Sequence, residues 1–254
     1  MYFDTHCHLN SEQLYENRDE FIKHALDNQV EMMVVVGYDL ESSKKAVEIA
    51  KEYDFIYAAV GIGPNDCLNT TTQDLQIIDE YLNEPKVVAL GEIGLDYYWN
   101  KENKEYQKRA FIEQINLANE VDLPIVIHSR DAISDTLEIL KNNKVNRKGV
   151  FHCCMLNREL VKEALKLGFY ISFAGPVTFK NSKNAQEIIK MVPNERFFIE
   201  TDSPYLSPEP NRGKRNDSRN LKYIVEKIAK EKDIDIEKVA EISYKNAVEF
   251  FRIK

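Results

Sequence analysis

Apolar, β-branched runs recur along this chain, each six to eight residues long: Tyr2–His8, Glu31–Gly37, Ile56–Ile62, Val87–Gly94, Pro124–Ser129, Gly149–Cys154, Tyr170–Gly175 and Phe197–Asp202. Runs of this length are strand signals. Between them lie longer charged stretches with helical spacing, such as Phe111, Ile115 and Ala118 at i, i+4 and i+7. A final amphipathic stretch, Ile236–Phe251, sets Ala240, Ala247 and Phe251 on one face. Eight strands alternating with helices predict parallel βα units. The chain length, 254 residues, matches a (β/α)8 barrel, for which ~250 is typical. The rival doubly wound sheet is marked by a glycine-rich turn after its first strand. Here the first run leads into Leu9-Asn10-Ser11-Glu12, and the chain has only nine glycines. The expected fold is therefore α/β, a (β/α)8 TIM barrel. No linker or low-complexity tract divides the chain, so residues 1–254 are expected to form a single domain. The longest irregular piece, about Ser203–Asn216, directly follows the eighth run.

Charge and cysteine content narrow the function. A formal net charge of −8 argues against a broad surface that tracks long nucleic acid. A local basic patch remains compatible with it, because local charge matters more than the sum. The four cysteines, Cys7, Cys67, Cys153 and Cys154, show no disulfide-framework spacing, which suits a reducing compartment. Cys153 and Cys154 are adjacent and read best as small buried apolar residues. No N-terminal apolar region precedes the first strand, and no run approaches the ~20 residues of a membrane span. The expectation is a soluble cytoplasmic protein with no membrane partner, and no feature points to a stable protein partner.

Barrel enzymes keep their chemistry at the C-terminal ends of the strands. Residues His6 and His8, two positions apart on one strand, share a face, and Cys7 points the other way. The ends of later runs supply Glu92, His128, His152 and Asp202. Of the five histidines, four end such runs, and only His24 falls in a helical segment. Taken singly, a strand-end histidine is more often a hydrogen-bonded structural residue. Four imidazoles and two carboxylates at one barrel mouth, however, are costly to desolvate without a cation. Six donors are too many for one tetrahedral ion and fit two ions sharing a carboxylate bridge. Paired divalent ions activate water and stabilise a leaving oxygen, so the residues argue for metal-assisted hydrolysis. Alternation puts Glu200 on the face of Asp202, where it would orient a ligand or the bound water, or else pair with a cation as a buried structural carboxylate.

The chain resembles the TatD family of metal-dependent deoxyribonucleases, within the amidohydrolase-like barrel superfamily. The resemblance rests on Phe3-Asp4-Thr5-His6-Cys7-His8-Leu9, on Gly91-Glu92-Ile93-Gly94-Leu95-Asp96-Tyr97 and on Pro124-Ile125-Val126-Ile127-His128-Ser129-Arg130. The His152-Cys153 pair, Glu200-Thr201-Asp202-Ser203-Pro204-Tyr205-Leu206, Arg212-Gly213-Lys214-Arg215-Asn216, Asn246-Ala247 and Phe250-Phe251 extend it over essentially the whole length. It implies a metallo-dependent hydrolase barrel holding two divalent metals. His6, His8, Glu92 and Asp202 would hold one, His128 and His152 the other, with Glu92 bridging. It also implies hydrolysis of phosphodiester bonds in DNA, often as a 3′→5′ exonuclease, with magnesium commonly the activating ion. An imidazole-rich site suits zinc, manganese or iron better than magnesium, so Mg, Mn and Zn all stay open.

On this reading Glu92 and Asp202 are the catalytic carboxylates, and Asp202 accepts the proton of the attacking water. Arg130 is placed to hold a phosphate oxygen. Arg212, Lys214 and Arg215 form a basic patch beside a ligand-bearing strand, or a solvated surface loop. Tyr97, Tyr98 and Trp99 follow the Glu92 strand and would stack on an unpaired base of single-stranded DNA or a 3′ end, or pack the barrel rim. Two stretches depart from the family pattern. Gly61-Ile62-Gly63-Pro64-Asn65 lacks the two histidines often found there, and Cys154-Met155-Leu156 replaces the usual Phe-Ser-Gly. Neither removes an expected ligand. Two other readings stand beside this one: a hydrolase of a small amide, lactone or ester, and a non-catalytic protein that binds metal or nucleic acid.

Overall fold

A computed structural model describes residues 1–154 and 156–253. Met155, in the altered Cys154-Met155-Leu156 stretch, lies outside the described residues. The strands are β1 (Tyr2–Cys7), β2 (Val30–Val36), β3 (Ile56–Val60), β4 (Val87–Asp96), β5 (Ile125–Arg130), β6 (Gly149–Phe151), β7 (Tyr170–Phe173) and β8 (Phe197–Ile199). They form one eight-stranded sheet in sequential order, and every neighbouring pair from β1 to β8 is parallel. The helices are α1 (Arg18–Asp27), α2 (Leu40–Glu52), α3 (Thr72–Leu82), α4 (Lys104–Glu120), α5 (Ile133–Asn142), α6 (Arg158–Lys166), α7 (Ala185–Met191), α8 (Leu221–Lys232) and α9 (Ile236–Phe251). This is the (β/α)8 barrel expected from the alternation. No helix among the described residues is long and apolar enough to cross a membrane.

Strand alternation divides the buried apolar residues into two cores. On β2, Met33 and Val35 face outward into the layer under the helices, whereas Val34 and Val36 belong to the barrel interior. The interior core also holds Phe3, Val126 and Phe198, and it continues into Ala247, Phe250 and Phe251 of α9. Phe3 and Phe198 stand at the starts of their strands, so α9 plugs the N-terminal end of the barrel. That leaves the C-terminal ends open for chemistry. The stripe Phe111, Ile115 and Ala118 is buried on α4, as its spacing predicts.

Between β8 and β1 the ring closes through a seam of individual contacts. The backbone N–H of Asp202 donates to the carbonyl of His6 at 2.9 Å, and that of His8 to the carbonyl of Ser203 at 2.7 Å. Below them, the buried Asp4 carboxylate accepts from the Thr201 backbone N–H at 2.9 Å, the Thr201 hydroxyl at 2.6 Å and the Ser218 hydroxyl at 2.7 Å. Burial pushes the Asp4 carboxyl up to about 7, against the downward pull of the bonds from Thr201 and Ser218.

Strands β3, β6, β7 and β8 end two or three residues earlier than their apolar pattern suggests. Strand β6 stops at Phe151 and β8 at Ile199, so His152, Glu200 and Asp202 lie just beyond regular strand. The backbone turns there, with φ of 40° at Cys153 and 56° at Asp202, in the left-handed region that strands do not use. Strand β4 runs the other way, two residues longer than its apolar run, and carries Asp96 in strand conformation.

Candidate metal centre

Six side chains from β1, β4, β5 and the turns after β6 and β8 converge at the open end. Nε2 of His6 lies 3.2 Å from Nε2 of His8, 3.4 Å from Oε2 of Glu92 and 3.7 Å from Oδ1 of Asp202. His8 Nε2 is 3.3 Å from the same Asp202 oxygen and 3.9 Å from Glu92 Oε2. A second group forms around the other oxygen of Glu92. Oε1 stands 2.6 Å from Nδ1 of His128 and 3.2 Å from Nε2 of His152, and those two nitrogens are 3.0 Å apart. Donor atoms held at about 2.1 Å from one ion stand roughly 3.0–3.4 Å from each other. The His6–His8, His6–Glu92, His8–Asp202, His152–Glu92 and His128–His152 pairs have that spacing. The His128–Glu92 pair at 2.6 Å is closer, and the His6–Asp202 and His8–Glu92 pairs at 3.7 Å and 3.9 Å are wider.

The donor chemistry fits a cation as well. A carbonyl can only accept, so the 2.9 Å contact between His8 Nδ1 and the carbonyl of Val36 fixes the proton on Nδ1. Nε2 of His8 therefore presents a lone pair towards His6 and Asp202. On His128 the order is reversed. Its Nε2 lies 3.0 Å from Oδ2 of Asp96, so a proton carried there and given to Asp96 leaves Nδ1, facing Glu92, as the ligating atom. The outer nitrogens of His6 and His152 have no hydrogen-bond partner among the described residues. Lone pairs packed against lone pairs are repulsive until protons or a metal intervene. In the metal-free charge balance, burial alone would raise the Glu92 carboxyl, but His152 and His128 beside it bring it well below the usual carboxylate range. Burial likewise opposes charge on His152, yet Glu92 and Glu200 hold it well above the ordinary histidine value.

The scaffold explains the residue types around this cluster. Gly94 has φ of 140°, and a Cβ there would sit 2.0 Å from the carbonyl oxygen of His128. Only glycine lets β4 approach β5 closely enough for Glu92 and His128 to meet. Glu200 is buried and accepts a short hydrogen bond from the backbone N–H of Cys153. Its Oε1 lies 3.6 Å from His152 Nδ1, too far for a hydrogen bond, so Glu200 supports the turn carrying His152. Although regular strand stops at Ile199, Phe198 lies in the barrel interior, Glu200 lies beside His152 and Asp202 beside His6 and His8, so the two carboxylates are on the same side of the chain. Cys7, Cys67 and Cys154 are buried thiols, and Cys153 is half-buried. His24 lies on α1, half-buried, with its Nε2 3.8 Å from Glu20.

The residues expected to touch substrate are placed differently from one another. The guanidinium of Arg130 stacks 3.8 Å above the Tyr98 ring, two residues along β5 from His128. Tyr97 is buried, and its hydroxyl donates to Asp135 at 2.7 Å, so it has no free face for a base. Of the three aromatics that follow the Glu92 strand, Tyr98 and Trp99 are the exposed ones. The basic run does not gather into one patch. Arg212 stacks on Phe179 at 4.1 Å and donates to Asn181, Arg215 stacks on Phe21 at 4.8 Å and donates to Gln13, and Lys214 is exposed. Asn65, in the stretch lacking histidines, accepts a 3.5 Å contact from Asn100, joining the loops after β3 and β4. Sequence reasoning assigned no role to Asp96 or Asp4. Asp96 shares strand parity with the candidate ligand Glu92, which was a usable signal. Asp4, by contrast, follows the interior residue Phe3 and turns outward to Ser218 and Thr201, and the register irregularity between Asp4 and Cys7 separates it from His6 and His8.

Comparison with known proteins agrees with this geometry. The family model described as TatD related DNase matches residues 3–252. An uncharacterized metal-dependent hydrolase, YabD of Bacillus subtilis (strain 168), is 48% identical over 254 residues, covering 100% of both chains. YcfH of Escherichia coli (strain K12), another uncharacterized metal-dependent hydrolase, is 36% identical, covering 98% of this chain and 95% of its own. The crystal structure of YjjV, a TatD homologue from Escherichia coli K12, superposes with a TM-score of 0.95 at 24% identity, covering 100% of this chain and 98% of that one. With this match over the whole barrel, and a His/Glu/Asp cluster able to bind metal at its mouth, the chain belongs to the TatD family of metal-dependent hydrolases.

Proposed function

We propose that this protein is a two-metal deoxyribonuclease that removes nucleotides from the 3′ end of single-stranded DNA. The observation that carries the two-metal reading is the division of Glu92: Oε2 joins His6 and His8, and Oε1 joins His128 and His152. His6, His8, Glu92 and Asp202 would hold one divalent ion, and His128, His152 and Glu92 the other. When bound, such a pair supplies Lewis acidity, lowers the pKa of water and offsets charge on the phosphate oxygens. The imidazole-rich donor set favours zinc or manganese over magnesium.

The protein's own residues supply the rest. Oδ1 of Asp202 faces the histidines, and its other oxygen takes no hydrogen bond from the described residues. That oxygen accepts the proton of the attacking water, as a general base must within hydrogen-bond reach. Arg130, with no carboxylate partner among the described residues, offers planar donors to a phosphate oxygen. Lys214 and the turned-out edges of Arg212 and Arg215 add weaker, screened attraction for the strand. The family description and the metal-dependent relatives support the reaction class, and the lack of a continuous basic track supports short, single-stranded substrates over duplex.

The test uses oligonucleotides labelled at the 5′ or 3′ end, incubated with the purified protein in EDTA, Mg, Mn or Zn. The expected result is a metal-dependent ladder shortening from the 3′ end, abolished by Asp202→Asn with the fold intact by circular dichroism. Metal-loaded protein that leaves DNA whole but opens amides or lactones would replace this reading with the small-molecule one.

A further inference from the structure

The turn that follows β4 ties the metal centre to an aromatic ledge. Asp96 uses its two oxygens for two tasks. Oδ2 faces Nε2 of His128 at 3.0 Å, and Oδ1 accepts from the backbone N–H groups of Tyr98 at 2.9 Å and Trp99 at 3.0 Å. One carboxylate therefore sets both the tautomer of a candidate ligand and the course of the turn. On that turn both aromatics meet the Arg130 guanidinium, the Tyr98 ring at 3.8 Å and the Trp99 ring more distantly at 5.5 Å. Tyr98 lies beneath the Arg130 guanidinium and meets Trp99 edge-on, with ring centroids 4.8 Å apart and planes at 88°. Trp99 is 66% exposed, the most exposed large hydrophobic residue in the described chain. The loops after β3 and β8 also expose apolar side chains, Leu68, Tyr205 and Leu206, where a phosphate-tracking surface would be basic.

Resting on the nuclease reading, we infer that Trp99 is the stacking platform for an unpaired base next to the cleaved bond, with Arg130, braced by Tyr98, holding the phosphate of that nucleotide. Asp96 is the positioning residue that keeps ledge and metal centre in register. Stacking accepts any base, so the ledge selects unpaired over paired strands without selecting sequence. A base locked in a duplex cannot present its face to Trp99.

Trp99 is the sole tryptophan, so its emission reports the ledge directly. The full chain with its purified metal content is titrated with a phosphorothioate-linked thymidine tetranucleotide, with the abasic tetranucleotide of the same linkage, and with a duplex. The expected result is quenching by the base-bearing single strand alone, and about 5- to 150-fold weaker binding of the abasic probe. Trp99→Ala, followed by anisotropy of a 5′-labelled probe, should erase the difference between the two. Equal affinity for both probes in the wild type, or unchanged emission at saturation, overturns the inference. Asp96→Asn separates the two tasks of Asp96. Its amide oxygen still accepts from Tyr98 and Trp99, but its NH2 donates to His128 and moves the imidazole proton to Nδ1. Quenching should persist while metal affinity, read by chelator competition, falls roughly 10–100-fold; Asp96→Ala should lose both. Wild-type metal affinity in Asp96→Asn would remove the positioning role. Cleavage of the ordinary tetranucleotide is scored alongside: cutting without quenching sinks the ledge and spares the nuclease reading, whereas neither cutting nor binding sinks both.

Discussion

Glu92→Gln changes one atom and tests the bridge. In the wild type, Oε1 lies 2.6 Å from His128 Nδ1 and Oε2 lies 3.4 Å from His6 Nε2. With the His128 proton on Nε2, facing Asp96, Nδ1 is an acceptor. The new amide will therefore turn its NH2 towards His128, where it gains a hydrogen bond, and its oxygen towards His6 and His8. An NH2 group is not a metal ligand, so the His128–His152 group loses its only anionic member. The His6–His8–Asp202 group keeps an oxygen and its own carboxylate. The expected outcome is loss of one of two metal equivalents. Lewis-acid stabilisation by one ion is worth several kcal/mol, and each 1.36 kcal/mol is tenfold, so kcat/KM should fall by about 10³-fold. Elemental analysis after equilibrium dialysis gives the metal count, a fluorogenic single-stranded DNA assay gives the rate, and a thermal melt checks the fold. Two equivalents of metal and wild-type turnover in Glu92→Gln would refute the bridging role and the mechanism built on it.

Three further outcomes follow from the same geometry. Chelation with EDTA should lower the melting temperature, since an ion at 100 times its Kd stabilises the native state by about 2.7 kcal/mol and each kcal/mol is worth roughly 2–4 °C at this size; an unchanged melt would mean the cluster binds no metal in the folded protein. Asp4→Ala strands the buried Thr201 N–H and two hydroxyls, and should cost about 2–5 kcal/mol in urea unfolding; a loss below about 1 kcal/mol would show that Asp4 does not hold the seam. Phe250→Ala removes a ring packed at 4.9 Å on Tyr170 and 5.1 Å on Phe198, and should cost about 3–5 kcal/mol by calorimetry while metal content stays at the wild-type value; loss of metal as well would mean that the α9 plug shapes the distant mouth.

The barrel was legible because strand alternation and helical spacing are local signals, and both survive in the structure at β2 and α4. The donor residues were legible because a strand end is visible as the point where apolar residues give way to polar ones. What a run of letters hides is the partner. Asp4 looks like an ordinary polar residue until Thr201 and Ser218, about two hundred positions on, are folded against it. Arg212 and Arg215 read as one basic cluster because nothing local shows that Phe179 and Phe21 draw them apart. Tyr97, Tyr98 and Trp99 read as equivalent, yet Asp135 claims the first and Arg130 the second. Glu200 and Asp202 keep the common side that alternation gives them, but the left-handed turn at Cys153, whose backbone N–H Glu200 accepts, has no local signal.

The position of the cluster has a consequence for the barrel itself. Strands β1 to β8 are joined by regular pairing at seven interfaces, and among the described residues the eighth is bridged by isolated bonds around Asp4, Thr5, His6, His8 and Asp202. Three of the four candidate ligands of the first group, His6, His8 and Asp202, sit on the two sides of that seam. Without a metal or a shared proton, their lone pairs push the sides apart where the ladder is weakest. A divalent ion would reverse the sign of that interaction and become the strongest bond across the gap. Metal affinity and barrel stability are then one quantity measured in two ways. Substitutions that loosen the seam below the site, such as Asp4→Ala, should weaken metal binding without touching a ligand.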